Sequence, residues 1–487
     1  MISLIKNELV KIFKKKSIYI TLLVVLGFII FSNCMTKYVN NSYSSYYRYS
    51  EESIKSMENT LETLDPNKAS DNTMYIGIKS EIETAKLTNK YPENSWQIQI
   101  IYNKISPLIN EKNTYEYGVN KDEAKAQEIQ TQIDELEKKL DNDDWKYFAN
   151  EDLEAAEKTL DNLKEQRNST EDKQLIKDLE SQIKQAEINK EVAEYRINQE
   201  IKYGNDYLNQ ALESYQSYSI TVAELGEKID SLTYNEKQEY NQSIKYVEEN
   251  RYILENKVDI NKSDDLRGTL ENFMNQYSLF IIVIVVMIAG TIVSEEFNKG
   301  TIKLLLIKPY SRKKILLAKF LTTLIMIVFT IVTILVMQLI VGGIMFGLDS
   351  LATPIVEYNF NTNTIQEINV FAYLGLQILT QLPIVILLGT LAFALSTIFN
   401  NSALAITISL LGFMSASIIN QIAITFDVKI LKYFVTMNWD LSQYLFGGLP
   451  MMPNMTMLSS IVICIIYFLV MMIPTFIIFK KKNIKNI

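Results

Sequence analysis

The sequence predicts an all-α, six-span polytopic membrane protein with an extracellular helical, coiled-coil-like domain between spans one and two. Three observations lead there. Six apolar runs reach the length of a bilayer crossing: Ser17 to Met35, Tyr277 to Val293, Ile315 to Phe346, Val370 to Phe399, Ala403 to Phe426 and Leu458 to Phe479. Charge is unevenly divided. About 48 acids and about 30 bases fall between Lys37 and Asn275, a net of roughly −18, which leaves roughly +10 for the rest of the chain. Finally, apolar residues in that acidic middle recur at alternating spacings of three and four, the helical seam pattern.

Residues 1–16 place Ile2, Ile5, Leu9, Ile12 and Phe13 on one helical face, with lysines mostly opposite. This predicts an amphipathic helix lying on an anionic leaflet. Residues 17–36 then form the first span, retained rather than cleaved because no small-x-small site follows closely.

Residues 37–275 are expected outside the cell. After the Tyr- and Ser-rich stretch around Ser42 to Ser50, three helical seams follow. They are Ile129/Ile133/Leu136/Leu140, Leu153/Ala156/Leu160/Leu163, and Ile176/Leu179/Ile183/Ala186/Ala193/Ile197, the last interrupted by Lys190. Turn-forming residues at Asp141 to Asp144 and Asn168 to Asp172 separate them, which favours antiparallel hairpins. Gly204 and Gly226 are expected to end further helices, and Asn235 to Asp259 to form another. The acidic pairs Asp143/Asp144, Glu248/Glu249 and Asp264/Asp265 lack the alternating ligands and central glycine of a calcium loop, so no metal site is expected. The negative field as a whole suits a cationic ligand such as an extracellular basic peptide.

Residues 276–487 carry spans two to six. The third run is long enough to tilt, with Lys319 expected to snorkel to the interface. Gly347 to Asn369 has acids but no Lys or Arg, as an outer loop should. Pro383 and Gly389 are expected to kink the fourth run, Asn400-Asn401-Ser402 to turn tightly, and Asp427 to Met457 to form interfacial or re-entrant helices. Six spans put both termini and residues 294–319 on one side, where roughly 16 of the 18 bases outside the acidic middle then lie, marking that side as cytoplasmic.

Within 294–319 the sequence SEEFNKGTIKLLLIKPYSRKK frames a compact segment. Gly300 permits a sharp exit from span two, Thr301 to Ile307 suits a short helix with an Ile302/Leu305/Leu306 face, Pro309 stops it, and Ser311 restarts a helix.

Taken in order, NELVKIFKKK before the first span, Glu295-Glu296 closing the second, and GTIKLLLIKPYSRKKILLAK leading into the third resemble ABC type-2 exporter permeases over about half the chain. The large insertion after span one departs from that family's usual short loop. The resemblance implies a dimer, with a second permease copy or paralogue, docked on two cytoplasmic ABC ATPase subunits that bind ATP and Mg. Coupling to the ATPases then falls on Glu295, Glu296, Gly300, Thr301, Ile302, Leu305, Leu306, Pro309 and Arg312, together with Glu8, Lys11 and Phe13 of the N-terminal helix. This chain has no G-x-x-x-x-G-K-[ST] phosphate loop, and it has no histidine. It is therefore read as a non-catalytic transport subunit in the cytoplasmic membrane, with no nucleic-acid partner. The spans carry amides and hydroxyls rather than charges, and Gln377, Gln381 and Asn420 are the pathway candidates. The layout also resembles surface proteins of the phage-infection-protein type, which implies a scaffold or receptor without an ATPase.

Overall fold

A computed structural model describes residues 1–42, 49–302 and 310–482. The chain divides into two compact units, one made of Met1–Tyr38 and Ile260–Ile487, the other of Val39–Asp259.

The first unit contains six helices long and apolar enough to cross a membrane. A short helix, Ile2–Phe13, precedes span one, Lys16–Ser42. Span two is Phe273–Thr291, followed after a two-residue break by Ser294–Asn298. Spans three to six are Arg312–Phe346, Val370–Phe399, Ser402–Thr425 and Met457–Lys481. Spans two and four are the centre of the bundle, with 67% and 56% of their apolar windows buried against 17% for spans five and six. Their mutual approach needs a small residue: a Cβ on Gly389 of span four would lie 3.0 Å from a side-chain carbon of Val285 on span two. Span four continues as one helix through Pro383.

Side-chain caps set most of the helix starts. Ser311 accepts from the Lys314 amide, Asn369 from Phe371, Asn401 from Leu404 and Thr456 from Ser459, each satisfying an orphan donor of the first turn. Asn400 is left-handed and ends span four, so the expected Asn-Asn-Ser turn is present. Between spans five and six the chain forms only short helical pieces at Lys429–Tyr433, Val435–Asn438 and Leu441–Gly447.

Two departures from the sequence expectation concern the spans and the loops between them. The otherwise helical fold has a β-hairpin, β1 (Ile355–Asn359) pairing antiparallel with β2 (Thr364–Ile368), inside the stretch read as a plain loop. Its turn includes left-handed Asn363, and the polar Asn-Thr tip between β-branched residues was the available signal. The second departure is Lys319, which is 1% exposed and does not snorkel.

The second unit is helical. Its hairpin Trp145–Ser169/Lys173–Asn198 is antiparallel, as the ion pairs Glu157/Lys190, Lys164/Glu187 and Arg167/Glu180 run in opposite order along the two helices. Lys190 interrupts the seam because its ammonium reaches Glu157 at 3.0 Å. Asp172 caps the second helix of the pair. Tyr207–Gly226 and Tyr234–Asn256 form the next hairpin. The first seam behaves differently: Glu123–Asp141 packs mainly along Ser106–Tyr117 rather than on the helix that follows it. The reason lies in the turn, where Asp143 is left-handed and is held by Trp96 Nε1 at 2.6 Å and Lys202 at 2.8 Å. Gly226 ends its helix as expected, whereas the helix before Gly204 already stops at Asn198. The acidic pairs serve the fold: Asp144 and Asp265 are helix caps, and Glu248 holds Arg251.

Candidate functional site

The N-terminal helix buries Leu4, Glu8 and Ile12, one residue per turn, with Leu9 and Phe13 packed beside them. Ile2, assigned to the apolar face from sequence, is 83% exposed instead. A carboxylate therefore occupies the middle of the buried stripe, which is stable only with a partner.

That partner is Lys319 of span three. Its ammonium donates to Glu8 at 2.7 Å and to the Ile292 carbonyl at 2.8 Å, and lies 3.5 Å from Glu296. The Ile292 carbonyl is available because span two breaks there, between its two helical segments. The same break turns Glu296 inward, where it accepts from Lys11 and from the Thr301 hydroxyl. Lys11 also reaches Glu8 at 3.3 Å. Burial pulls the Lys11 pKa down, but Glu296 and Glu8 outweigh it and the net shift is upward, so this lysine stays charged. Two carboxylates and two ammonium groups thus form a closed, charge-balanced cluster joining the N-terminal helix, the end of span two and the start of span three. Beside it, Lys15 bonds Glu295 at 2.6 Å and the Thr291 hydroxyl at 3.1 Å.

The chain leaves this cluster through Gly300, whose φ of +68° is the left-handed turn expected of it. Thr301 holds Glu296, and Ile302 is fully buried in the core. Leu305, Leu306 and Pro309 lie outside the described residues. On the far side, Arg312 donates to the carbonyls of Lys480 and Lys482 at 3.2 and 2.8 Å. Phe297 packs edge-on against Phe479, and the Lys482 ammonium sits 4.9 Å above its ring. Lys482 also donates to the Thr397 and Ile398 carbonyls and to Asn400, closing the C-terminal end of span four. Both flanks of residues 303–309 are therefore fastened to the end of span six.

The pathway candidates do not converge. Gln377 and Gln381 share a face of span four, one and two turns beyond Tyr373, whose hydroxyl donates to Glu357 at 2.9 Å. The Gln377 Oε1 is buried with no hydrogen-bond partner. Asn420 instead ties span five to the segment that follows, accepting from the Thr436 hydroxyl and donating to the Thr436 carbonyl. A different polar core joins the helices, around an amide whose partners the sequence does not reveal. Gln338 accepts from Tyr277 at 2.7 Å, donates to Thr269 at 3.0 Å, and exchanges longer hydrogen bonds with Asn33 of span one.

The sequence matches the family described as Protein of unknown function (DUF2705) over residues 239–485, about half of the chain. The chain belongs to this family. Within reach of this DUF2705 protein are two relatives from Bacillus subtilis (strain 168). Uncharacterized protein YhcI is 31% identical over 232 residues, 47% of this chain and 74% of that one. Uncharacterized membrane protein YdbK is 29% identical over 224 residues, 45% of this chain and 86% of that one. No solved structure matches. Six membrane-competent helices and a relative described as a membrane protein make this DUF2705 member a multi-pass membrane protein.

Proposed function

We propose that the chain is the membrane permease subunit of an ATP-driven ABC exporter, working with separate cytoplasmic ATPase subunits as one half of a dimer. It sits in the cytoplasmic membrane with both termini inside and the Val39–Asp259 unit outside. The observation that supports this most is the cluster in which buried Glu8, Glu296 and Lys319 meet the half-exposed Lys11. A loop that only orients a protein in the bilayer needs exposed lysines. It does not need carboxylates desolvated against a lysine within a span. Such a cluster makes the N-terminal helix and the 294–301 turn move together with span three, which is what transmitting a push from an ATPase requires.

The cargo that fits is an amphipathic compound or an antimicrobial peptide, because the spans present amides and hydroxyls rather than buried carboxylates along Gln377 and Gln381. A scaffold or surface receptor is the second reading, favoured by the size of the Val39–Asp259 helical unit. Purification from the native membrane separates the two. An ABC ATPase that copurifies, and whose hydrolysis falls to its uncoupled level with Glu296→Gln, supports the exporter. Isolation of the chain without an ATPase overturns it.

A further inference from the structure

We propose that a cleft between spans one and two binds one phospholipid whose headgroup carries both a phosphate and an amine. The cleft encloses about 90 Å³ and opens where the N-terminal helix bends into span one. Its walls are Ile18 and Thr21 of span one and Ile284, Met287 and Ile288 of span two. Apolar walls at this depth exclude water, and the surrounding solvent there is acyl chain. The volume suits the upper part of a single chain.

Span one allows such an entry. Only 22% of its apolar window is buried, and its polar ties to the bundle, Ser32 with Gln276 and Asn33 with Gln338, lie in the half away from the cleft. The end next to the N-terminal helix is held by side chains that rim the cleft.

The rim decides the headgroup. Glu8, Glu295 and Glu296 line it with Lys11 and Lys15, and Lys319 behind them answers Glu8 and Glu296, so a zwitterionic headgroup leaves the rim balanced where a net anionic one does not. Lys15 has three donors and spends two, on Glu295 and the Thr291 hydroxyl. The third is available to a phosphate oxygen. Glu295 is 30% exposed in its side chain and has acceptor capacity beyond Lys15 and Lys299, so it can take an ammonium. The Lys15–Glu295 pair is thereby a complement to a zwitterion. Lys14 and Lys16 are exposed outside the cleft, where they meet the phosphates of the bulk leaflet instead. None of this depends on the exporter reading.

The test is native mass spectrometry of the full chain extracted from vesicles of equal phosphatidylethanolamine, phosphatidylglycerol and phosphatidylcholine. One retained phosphatidylethanolamine per chain is expected, with a preference of about tenfold over phosphatidylglycerol, the discrimination of one pair of charge-assisted hydrogen bonds. Ile288→Trp, which fills the cleft, should remove that lipid, while Leu469→Trp on the exposed side of span six should not. Lys15→Gln combined with Glu295→Gln should keep a lipid but lose the preference. Equal retention by the wild type and Ile288→Trp, or equal uptake of phosphatidylglycerol, overturns the proposal.

Discussion

Lys319 and Glu8, 311 positions apart in sequence, lie 2.7 Å from each other with side chains 1% and 8% exposed. Removing the lysine leaves Glu8 and Glu296 desolvated with only the half-exposed Lys11 between them. Lys319→Met is expected to cost about 3–5 kcal/mol, the range for breaking a buried pair. Pairing it with Glu8→Gln should recover part of that loss. Thermal unfolding in nanodiscs reads both, and strictly additive effects would count against a shared interaction.

Gly300 tests the turn without a clash. A Cβ there meets nothing within 4 Å, so Gly300→Ala should cost only the left-handed backbone penalty of about 1–2 kcal/mol. Gly300→Asn should cost less, since asparagine tolerates that conformation. An asparagine variant as unstable as alanine would show that something other than backbone conformation is at stake. The same thermal measurement decides it.

Gln338→Leu removes partners from Tyr277, Thr269 and Asn33 at once. Hydrogen bonds inside bilayers average about 0.6 kcal/mol each, so a loss of about 1–2 kcal/mol is expected in a detergent unfolding titration. Adding Asn33→Leu should be nearly free or mildly restoring, because the orphaned amide disappears with it.

In the Val39–Asp259 unit, burial pushes the Tyr215 phenol up to about 12, assisted by its hydrogen bond to Glu191. A raised acid pKa means that the fold favours the protonated form. Its contribution is fully present below the unfolded value of about 10 and is lost as pH rises from there towards 12. Circular dichroism should therefore show the unit weakening across that window. Tyr215→Phe should flatten the alkaline slope while lowering stability at neutral pH.

The sequence made the spans legible because length and hydropathy alone decide them, and it made Gly300, Ser311 and the Asn400 turn legible because their chemistry is local. Glu8 and Lys319 were harder. Each is out of place in its own helix, a carboxylate inside an apolar stripe and a lysine within an apolar run, but only tertiary packing reveals that one answers the other. That mutual oddity was the available signal. Asn420 was only partly legible for a related reason: an amide in a span has no visible partner in sequence, and here that partner is Thr436. The hairpin Ile355–Ile368 was obscured because neither strand alternates: Ile355, Val356, Glu357 and Tyr358 are all buried, so no period of two registers.

The distance in sequence between Asn33 and Gln338, 305 residues, sets an order of events during synthesis. At about 5–20 residues per second, roughly 15–60 s separate the making of the two ends of that contact. Span one therefore enters the bilayer carrying an amide whose eventual partner does not yet exist, and it must rest against lipid, water or the insertion machinery in the interval. Its Gly27, with open space around the missing side chain, and its sparse burial suit a helix that can wait alone and be gathered in late. The Asn33 contact is thus timed by span three.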